Sequence, residues 1–134
     1  MTDKLATVFV AEDNPILLQG LVRALTGSGY AVESAEDGLQ LMETLQKDGS
    51  RPDLLLLDVM MPGMGGLEVL EAVKSDGRWP ALPVVLITAA TDEFVDKALE
   101  KGAVDVLAKP FRLSELLKRI DVHIREYQEC RATR

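Results

Sequence analysis

The sequence predicts an α/β protein built on a doubly wound, five-stranded parallel sheet. Five short apolar runs alternate with five helix-length amphipathic segments. Two of the runs, LLLLD at 54–58 and PVVLIT at 83–88, are apolar almost throughout, as expected for strands covered by helices on both faces. Such alternation favours parallel strands joined by right-handed crossovers. The 134-residue length fits the smaller of the common doubly wound strand orders, 2-1-3-4-5.

The first two strands flank a helix with recognisable ends. The run ATVFVA at 6–11 is β-branched and aromatic, and it is too short for an ordinary helix. Asn14 suits the cap of the helix that follows, and Pro15 suits its first position. The helix is expected to end near Gly27 to Gly29. The second strand is then predicted at 30–35.

The middle of the chain repeats this pattern twice. Leucines and a methionine within 39–45 have helical spacing, and the third strand follows at 54–58. Apolar residues within 67–73 predict a third helix, and the fourth strand is predicted at 83–88. The sheet is thereby extended by two fully apolar strands.

The C-terminal third predicts one more strand between two helices. A polar helix is predicted over about 92–101, followed by a strand at 104–108 and a last helix that starts near Leu113. From about Ile124 this helix is expected to overrun the domain, either to dimerise or to lead into an output domain. An apolar stripe at spacings of 4, 3, 4 and 3 suits a docking helix or a coiled-coil seam: Leu113, Leu117, Ile120, Ile124 and Tyr127.

Composition predicts one domain over residues 1–134, with its core at about 6–125. Hydrophobic residues make up 47% of the chain, enough for a substantial core. With 15 basic and 22 acidic side chains, the net charge of −7 disfavours direct binding to nucleic acid or anionic membranes. A single cysteine and the lack of a secretory signal or bilayer-length apolar run lead us to expect a cytoplasmic protein.

Charged and polar side chains follow four of the predicted strands. Glu12 and Asp13 follow the first strand, Asp58 ends the third, Thr88 ends the fourth and Lys109 follows the fifth. Ligands of such sheets bind at the carboxyl ends of the strands, so these five residues are expected to meet. Carboxylates about 4 Å apart repel by about 1 kcal/mol in water and by more when buried. Either a cation binds there or some of the carboxylates are protonated.

An oxygen-only ligand set favours a hard cation, above all Mg²⁺. A divalent ion beside a carboxylate, with the Lys109 ammonium and the Thr88 hydroxyl nearby, suits the stabilisation of a phosphoryl group during in-line transfer. Carboxylates can form aspartyl phosphates, so Asp58 is the candidate nucleophile.

Four motifs in fixed order resemble the receiver domain of bacterial two-component response regulators. They are the ED of VFVAEDNP, the stretch LLLLDVMMPGMGG, LITA with Thr88, and AKPF with Lys109. The resemblance covers residues 6 to roughly 125 and implies a flavodoxin-like (βα)5 receiver fold. It also implies that Asp58 accepts a phosphoryl group from a sensor histidine kinase or a phosphotransfer protein.

The resemblance implies a role for each residue at the strand ends. Lys109 would pair with the phosphoryl oxygens, Thr88 would move to hydrogen-bond them, and the Lys109–Pro110 bond would be cis. The Mg²⁺ would be bound by two carboxylates, one backbone carbonyl and one carboxylate acting through water: Asp13, Asp58, Met60 and Glu12.

One position departs from the family pattern. Receivers usually have Tyr or Phe three residues before the lysine, whereas this chain has Val106 at that switch position. Coupling would then run through backbone movement or through Phe94. We expect strand five and its flanking helices to contact an effector or a fused output domain. A homodimer is expected through the strand four to five face or the C-terminal helix.

Two other functions deserve comparison with the receiver hypothesis. A Mg²⁺-dependent phosphatase of the haloacid-dehalogenase kind also uses an aspartyl nucleophile. Such enzymes resemble one another in a second Asp, two residues after the nucleophile, that serves as general acid. This chain has Met60 at that position. A degenerate receiver would act only as a protein-binding module, but such proteins typically lose a site residue. No such loss is found here.

Overall fold

The computed structural model describes residues 6–47, 49–89 and 92–132, without the side chains of 92, 93, 131 and 132. Five strands and five helices alternate along the described chain. The elements are β1 (Thr7–Ala11), α1 (Pro15–Gly27), β2 (Ala31–Ala35), α2 (Gly38–Gln46), β3 (Leu54–Asp58), α3 (Gly66–Ser75), β4 (Val84–Thr88), α4 (Asp92–Glu100), β5 (Asp105–Ala108) and α5 (Leu113–Ala132).

The strands form one parallel sheet in the order β2-β1-β3-β4-β5. The predicted fold class and strand order are therefore confirmed. β3 lies at the centre, where Leu55 pairs with Phe9 of β1 and with Val84 of β4. This central place brings Asp58, the last residue of β3, to the middle of the carboxyl edge.

The two faces of the sheet carry separate hydrophobic cores. Leu54 and Leu56 belong to the core shared with α1 and α5. Leu55 and Leu57 belong to the core shared with α2, α3 and α4. Since successive side chains of a strand point to opposite faces, the four leucines are divided equally between the two cores. This explains why β3 has no polar alternation.

Local capping explains where α1 begins. The side chain of Asn14 accepts hydrogen bonds from the amides of Ile16 and Leu17 at 3.0 and 3.1 Å. Pro15 stands at the first helical position, where a missing N–H costs nothing. The cap thus fixes the direction in which the chain leaves the end of β1.

The C-terminal helix differs from the prediction in two places. Leu113 is 44% exposed, and Leu116 is fully buried in its stead. Leu113 borders an open groove beside α1, not the core beneath the sheet. Ile124 is buried and Tyr127 still packs on the core. The overrun that was predicted from about Ile124 therefore starts further along the helix, after Tyr127, where residues 128–130 are exposed.

The longest described helix, α5, has 20 residues and carries charged residues along its length. Among residues 6–47, 49–89 and 92–132, no helix combines the length and apolarity needed to cross a membrane.

Candidate functional site at the carboxyl edge of the sheet

Three carboxylates lie together at the carboxyl edge of the sheet. One oxygen each from Glu12, Asp13 and Asp58 can be chosen so that all lie within 4.8 Å of one another. Glu12 and Asp58 are 1% and 4% exposed, whereas Asp13 faces solvent. Two buried acids beside one accessible acid form a site that a cation can reach from one side.

Lys109 supplies the positive charge within this cluster. Its Nζ lies 2.9 Å from Oδ2 of Asp58 and 3.5 Å from Oε1 of Glu12. Partial burial lowers the pKa of Lys109, but the hydrogen bond to Asp58 and the charges of both acids outweigh it, so the pKa is raised. One ammonium thus contacts two of the three carboxyl groups, and its single charge does not neutralise the cluster.

Glu12 carries the largest electrostatic cost in the site. Burial raises the pKa of Glu12 to about 7, and Asp58 adds to the increase through its hydrogen bond and charge, while the amide of Asn14 and the charge of Lys109 oppose it. Oε2 accepts the Asn14 amide at 3.0 Å, but the buried Oε1 accepts no hydrogen bond. Such an oxygen has room for a further donor, for example a water on a bound cation.

The β3–α3 loop folds back over Asp58. The amide of Met60 donates to Oδ1 of Asp58 at 3.1 Å, while the Met60 side chain is 75% exposed. A Cβ atom at Gly65 or Gly66 would lie 2.7 Å from the carbonyl oxygen of Val59 or Asp58. Glycine is therefore required at both positions for the loop to return so close to the strand end.

Thr88 and Val106 occupy neighbouring strands at and below the same edge. Thr88 is buried at the end of β4, and its carbonyl accepts the Lys109 amide at 2.7 Å. Val106 is half-buried and packs on the α2–α3–α4 core, as does Phe94 of α4. The Lys109–Pro110 peptide bond is cis. The predicted site residues therefore lie at the carboxyl edge of the sheet, except for Val106, which lies two residues before the end of β5.

An apolar groove beside Lys109 was not predicted from the sequence. It has a volume of about 660 Å³ and runs between the start of α1 and the β5–α5 loop, where Ile16, Leu17, Phe111 and Leu113 line it. Ile16 is 81% exposed. The sequence signal for such a surface is an apolar residue in the first turn of a helix that does not belong to the helix's buried face.

The donor set fits a magnesium ion. The cluster consists of carboxylates, and Mg²⁺ takes one or two carboxylates together with waters and phosphate oxygens. The buried oxygen of Glu12 without a hydrogen bond is the independent observation that supports this fit. In phosphoryl transfer such an ion neutralises the charge that develops on the phosphoryl oxygens.

Comparison with known proteins identifies the family. The sequence model of the response regulator receiver domain family matches residues 8–121 of this chain. The chain belongs to the response regulator receiver domain family. Receivers are phosphorylation-controlled signalling domains of two-component systems, and the family binds Mg²⁺ at acidic residues.

Curated relatives of this receiver are longer proteins. Response regulator MprA of Mycobacterium leprae is 41% identical over 120 residues, which is 88% of this chain and 50% of MprA. DNA-binding transcriptional regulator NtrC of Escherichia coli K12 is 38% identical over 123 residues, 91% of this chain and 25% of NtrC. The chain thus spans about half of MprA and a quarter of NtrC.

Solved structures share the receiver fold along their whole length. Chemotaxis protein CheY4 of Vibrio cholerae has a TM-score of 0.81 and 32% identity, with 88% of this chain and 98% of that chain covered. The receiver of a putative LuxO repressor from Vibrio parahaemolyticus has a TM-score of 0.88 at 21% identity, covering 97% and 98%, and it supports the fold alone.

Proposed function

We propose that Asp58 is the phosphoryl acceptor of this receiver and that transfer requires Mg²⁺. The observation that carries the proposal is the contact of 2.9 Å between Asp58 and Lys109 inside the carboxylate cluster. Asp58 is the only one of the three acids that ends the central strand, held by the Met60 amide on one oxygen and by Lys109 on the other. The side chain is thereby oriented before a donor arrives.

In the proposed reaction, a carboxylate oxygen of Asp58 attacks the phosphorus of a phosphohistidine. The O–P bond forms as the P–N bond breaks, and the imidazole nitrogen keeps the electron pair and takes up a proton from water. Lys109 then pairs with a phosphoryl oxygen, and Thr88 donates its hydroxyl to another. Asp13, Asp58 and the Met60 carbonyl would hold the Mg²⁺, with Glu12 reaching it through a water molecule.

Incubation with Mg²⁺ and a small acyl phosphate separates the candidate functions. A receiver takes up one phosphoryl group per chain and later releases it. A haloacid-dehalogenase-like phosphatase instead turns over many donor molecules, and a binding-only module does not respond. The exposed Met60 side chain cannot act as the general acid that the phosphatase needs.

We further propose that the donor, a sensor histidine kinase or a phosphotransfer protein, docks in the groove at Ile16. The groove is continuous with Lys109, so a partner that fills it places its phosphohistidine beside Asp58. Ile16 and Leu113 expose apolar surface there, 81% and 44% of each residue. Burial of exposed apolar surface is the main favourable contribution to such association.

Ile16→Ser is expected to slow phosphotransfer from a kinase domain about tenfold or more, since it removes a central apolar contact. Labelling by acetyl phosphate should stay unchanged, because the carboxylate cluster is not altered. The kinase is chosen from a panel as the one that labels the unaltered protein fastest. Val122→Ser is the matched control, since Val122 is 52% exposed on α5. Equal slowing with acetyl phosphate would contradict a docking role.

We also propose that β5 with α4 and α5 transmits the phosphorylated state to an effector, an output domain or a second copy of the chain. On this surface, Asp105 forms an ion pair with Arg119 at 2.8 Å, and its other carboxylate oxygen lies 3.0 Å from Nε2 of His123. β5 leads directly to Lys109, so a shift of Lys109 toward a phosphoryl group would move the strand. With Val106 at the switch position, Phe94 is the aromatic side chain that α4 places on the same core.

A further inference from the structure

The start of α2 is in tight contact with the β3–α3 loop. A Cβ atom at Gly38 would overlap the carbonyl oxygen of Met64 and would lie 3.0 Å from Cγ2 of Val69. Gly38 is buried as the first residue of α2. Its φ is not in the left-handed region, so the need for glycine here comes from close approach and not from backbone conformation.

The loop that Gly38 contacts is the one that carries Met60. Its returning part presses on the end of β3, because Gly65 and Gly66 approach the carbonyls of Val59 and Asp58 closely. The Gly66 amide also donates to the Val59 carbonyl at 3.0 Å. Residues 64–66 therefore lie between α2 on one side and the two residues that precede Met60 on the other.

We take the Met64 carbonyl, rather than α2, to shift if an atom is added between them. α2 is held by Leu41 and Leu45, which are fully buried in the core, and by Asp37, whose side chain accepts the Gln40 amide at 2.8 Å. Met64 is only half-buried, and Met60 is exposed. A displacement of the Met64 carbonyl thus passes through Gly65 and Gly66 to the strand end.

We propose that Gly38 is a positioning residue for the magnesium site, which it serves from α2 by holding the β3–α3 loop beside Asp58. The proposal rests on the proposed function, since it takes the Met60 carbonyl as a ligand. Mg²⁺ requires near-ideal octahedral geometry, so a loop shift of a few tenths of an ångström weakens binding. Residues that orient ligands commonly change metal affinity by about 10- to 100-fold when altered.

Gly38→Ala in the full chain is expected to weaken Mg²⁺ binding about tenfold, measured by calorimetry. In the metal-free protein, amide chemical shifts should change in residues 59–66 and at the start of α2. Gly20→Ala is the matched control, because a Cβ atom there meets no atom within 4 Å. This control should keep the Mg²⁺ affinity of the unaltered protein.

Val69→Ala combined with Gly38→Ala separates loop positioning from packing against α3. The overlap with the Met64 carbonyl involves backbone, so the double variant should remain about tenfold weakened. Recovery of the affinity in the double variant would overturn the proposal in favour of a packing effect. Unchanged Mg²⁺ affinity in folded Gly38→Ala would overturn it as well.

Asp37→Ala tests the same idea without adding an atom, should Gly38→Ala fail to fold. Loss of the cap loosens the first turn of α2, and a roughly threefold weaker Mg²⁺ affinity is expected. An affinity equal to that of the unaltered protein would overturn the proposal. If the unaltered protein itself binds no Mg²⁺, the proposed function fails and this inference fails with it. If the unaltered protein and the α2 variants bind Mg²⁺ equally well, this inference fails while the proposed function stands.

Discussion

Asp58→Asn is expected to abolish phosphorylation of this receiver by both acetyl phosphate and a phosphorylated kinase. The amide oxygen can still accept from Met60, but the amide nitrogen is a poor nucleophile and faces the Lys109 ammonium donor to donor. Loss of a covalent acceptor removes the reaction itself. Intact-protein mass spectrometry after incubation with Mg²⁺ and the donor measures the result.

The control for Asp58→Asn is Asp96→Asn. Asp96 is an exposed carboxylate on α4, outside the cluster. The Asp96→Asn variant should be labelled to one phosphoryl group per chain, as the unaltered protein is. Labelling of the Asp58 variant at the level of this control would show that another residue is the acceptor. Circular dichroism of both variants separates lost chemistry from lost structure.

The metal-free protein is expected to lose stability as the pH rises from 4.5 to above 7. The pKa of Glu12 is raised from 4.5 to about 7 in the folded chain, so the folded state binds this proton more tightly than the unfolded state. The contribution of protonated Glu12 to folding stability is complete below pH 4.5 and is lost as the pH rises through 7. A shift of this size corresponds to at most about 3 kcal/mol of unfolding free energy.

Glu12→Gln should remove this part of the pH dependence. At pH 8 in EDTA, the variant is expected to be more stable than the unaltered protein by up to about 3 kcal/mol, because position 12 then buries no charge. Urea unfolding at pH 5 and pH 8 measures the difference. Glu100→Gln on α4 is the exposed control and should keep the unaltered pH slope. If the unfolding free energy of Glu12→Gln changed with pH as much as that of the unaltered protein, Glu12 would not be the source of the pH dependence.

Saturating Mg²⁺ should reverse this behaviour. A cation beside Glu12 favours its charged form, so Mg²⁺ is expected to stabilise the unaltered protein more at pH 8 than at pH 5. Repeating the unfolding series with Mg²⁺ in place of EDTA tests this. Glu12→Gln should gain less from Mg²⁺ than the unaltered protein does at pH 8.

Local residue patterns determined the architecture of this receiver. The alternation of apolar runs and amphipathic segments specified five βα units, and Leu54–Leu57 specified a strand covered on both faces. Asn14 and Pro15 specified the start of α1 to the residue. These features depend on neighbours in the chain, so they can be predicted without knowing which distant segments meet.

The order of charged residues at strand ends also predicted that these side chains would cluster. In a parallel sheet all carboxyl ends lie at one edge, so topology alone predicts that Glu12, Asp13, Asp58 and Lys109 approach one another. The structure places one oxygen from each of the three carboxylates within 4.8 Å of the others, and Lys109 contacts two of the three. The parallel strand order therefore brings residues that are far apart in the sequence close together in space.

Only the tertiary structure decided how tightly the segments around the site pack. It showed that Glu12 is buried with one oxygen lacking a hydrogen bond, and that Gly38 leaves no room beside Met64. It also showed that Leu113 faces a groove and that Leu116 fills the core. Such properties depend on distances between segments far apart in the chain. Periodicity along one element specifies which residues share a face, but not what that face meets.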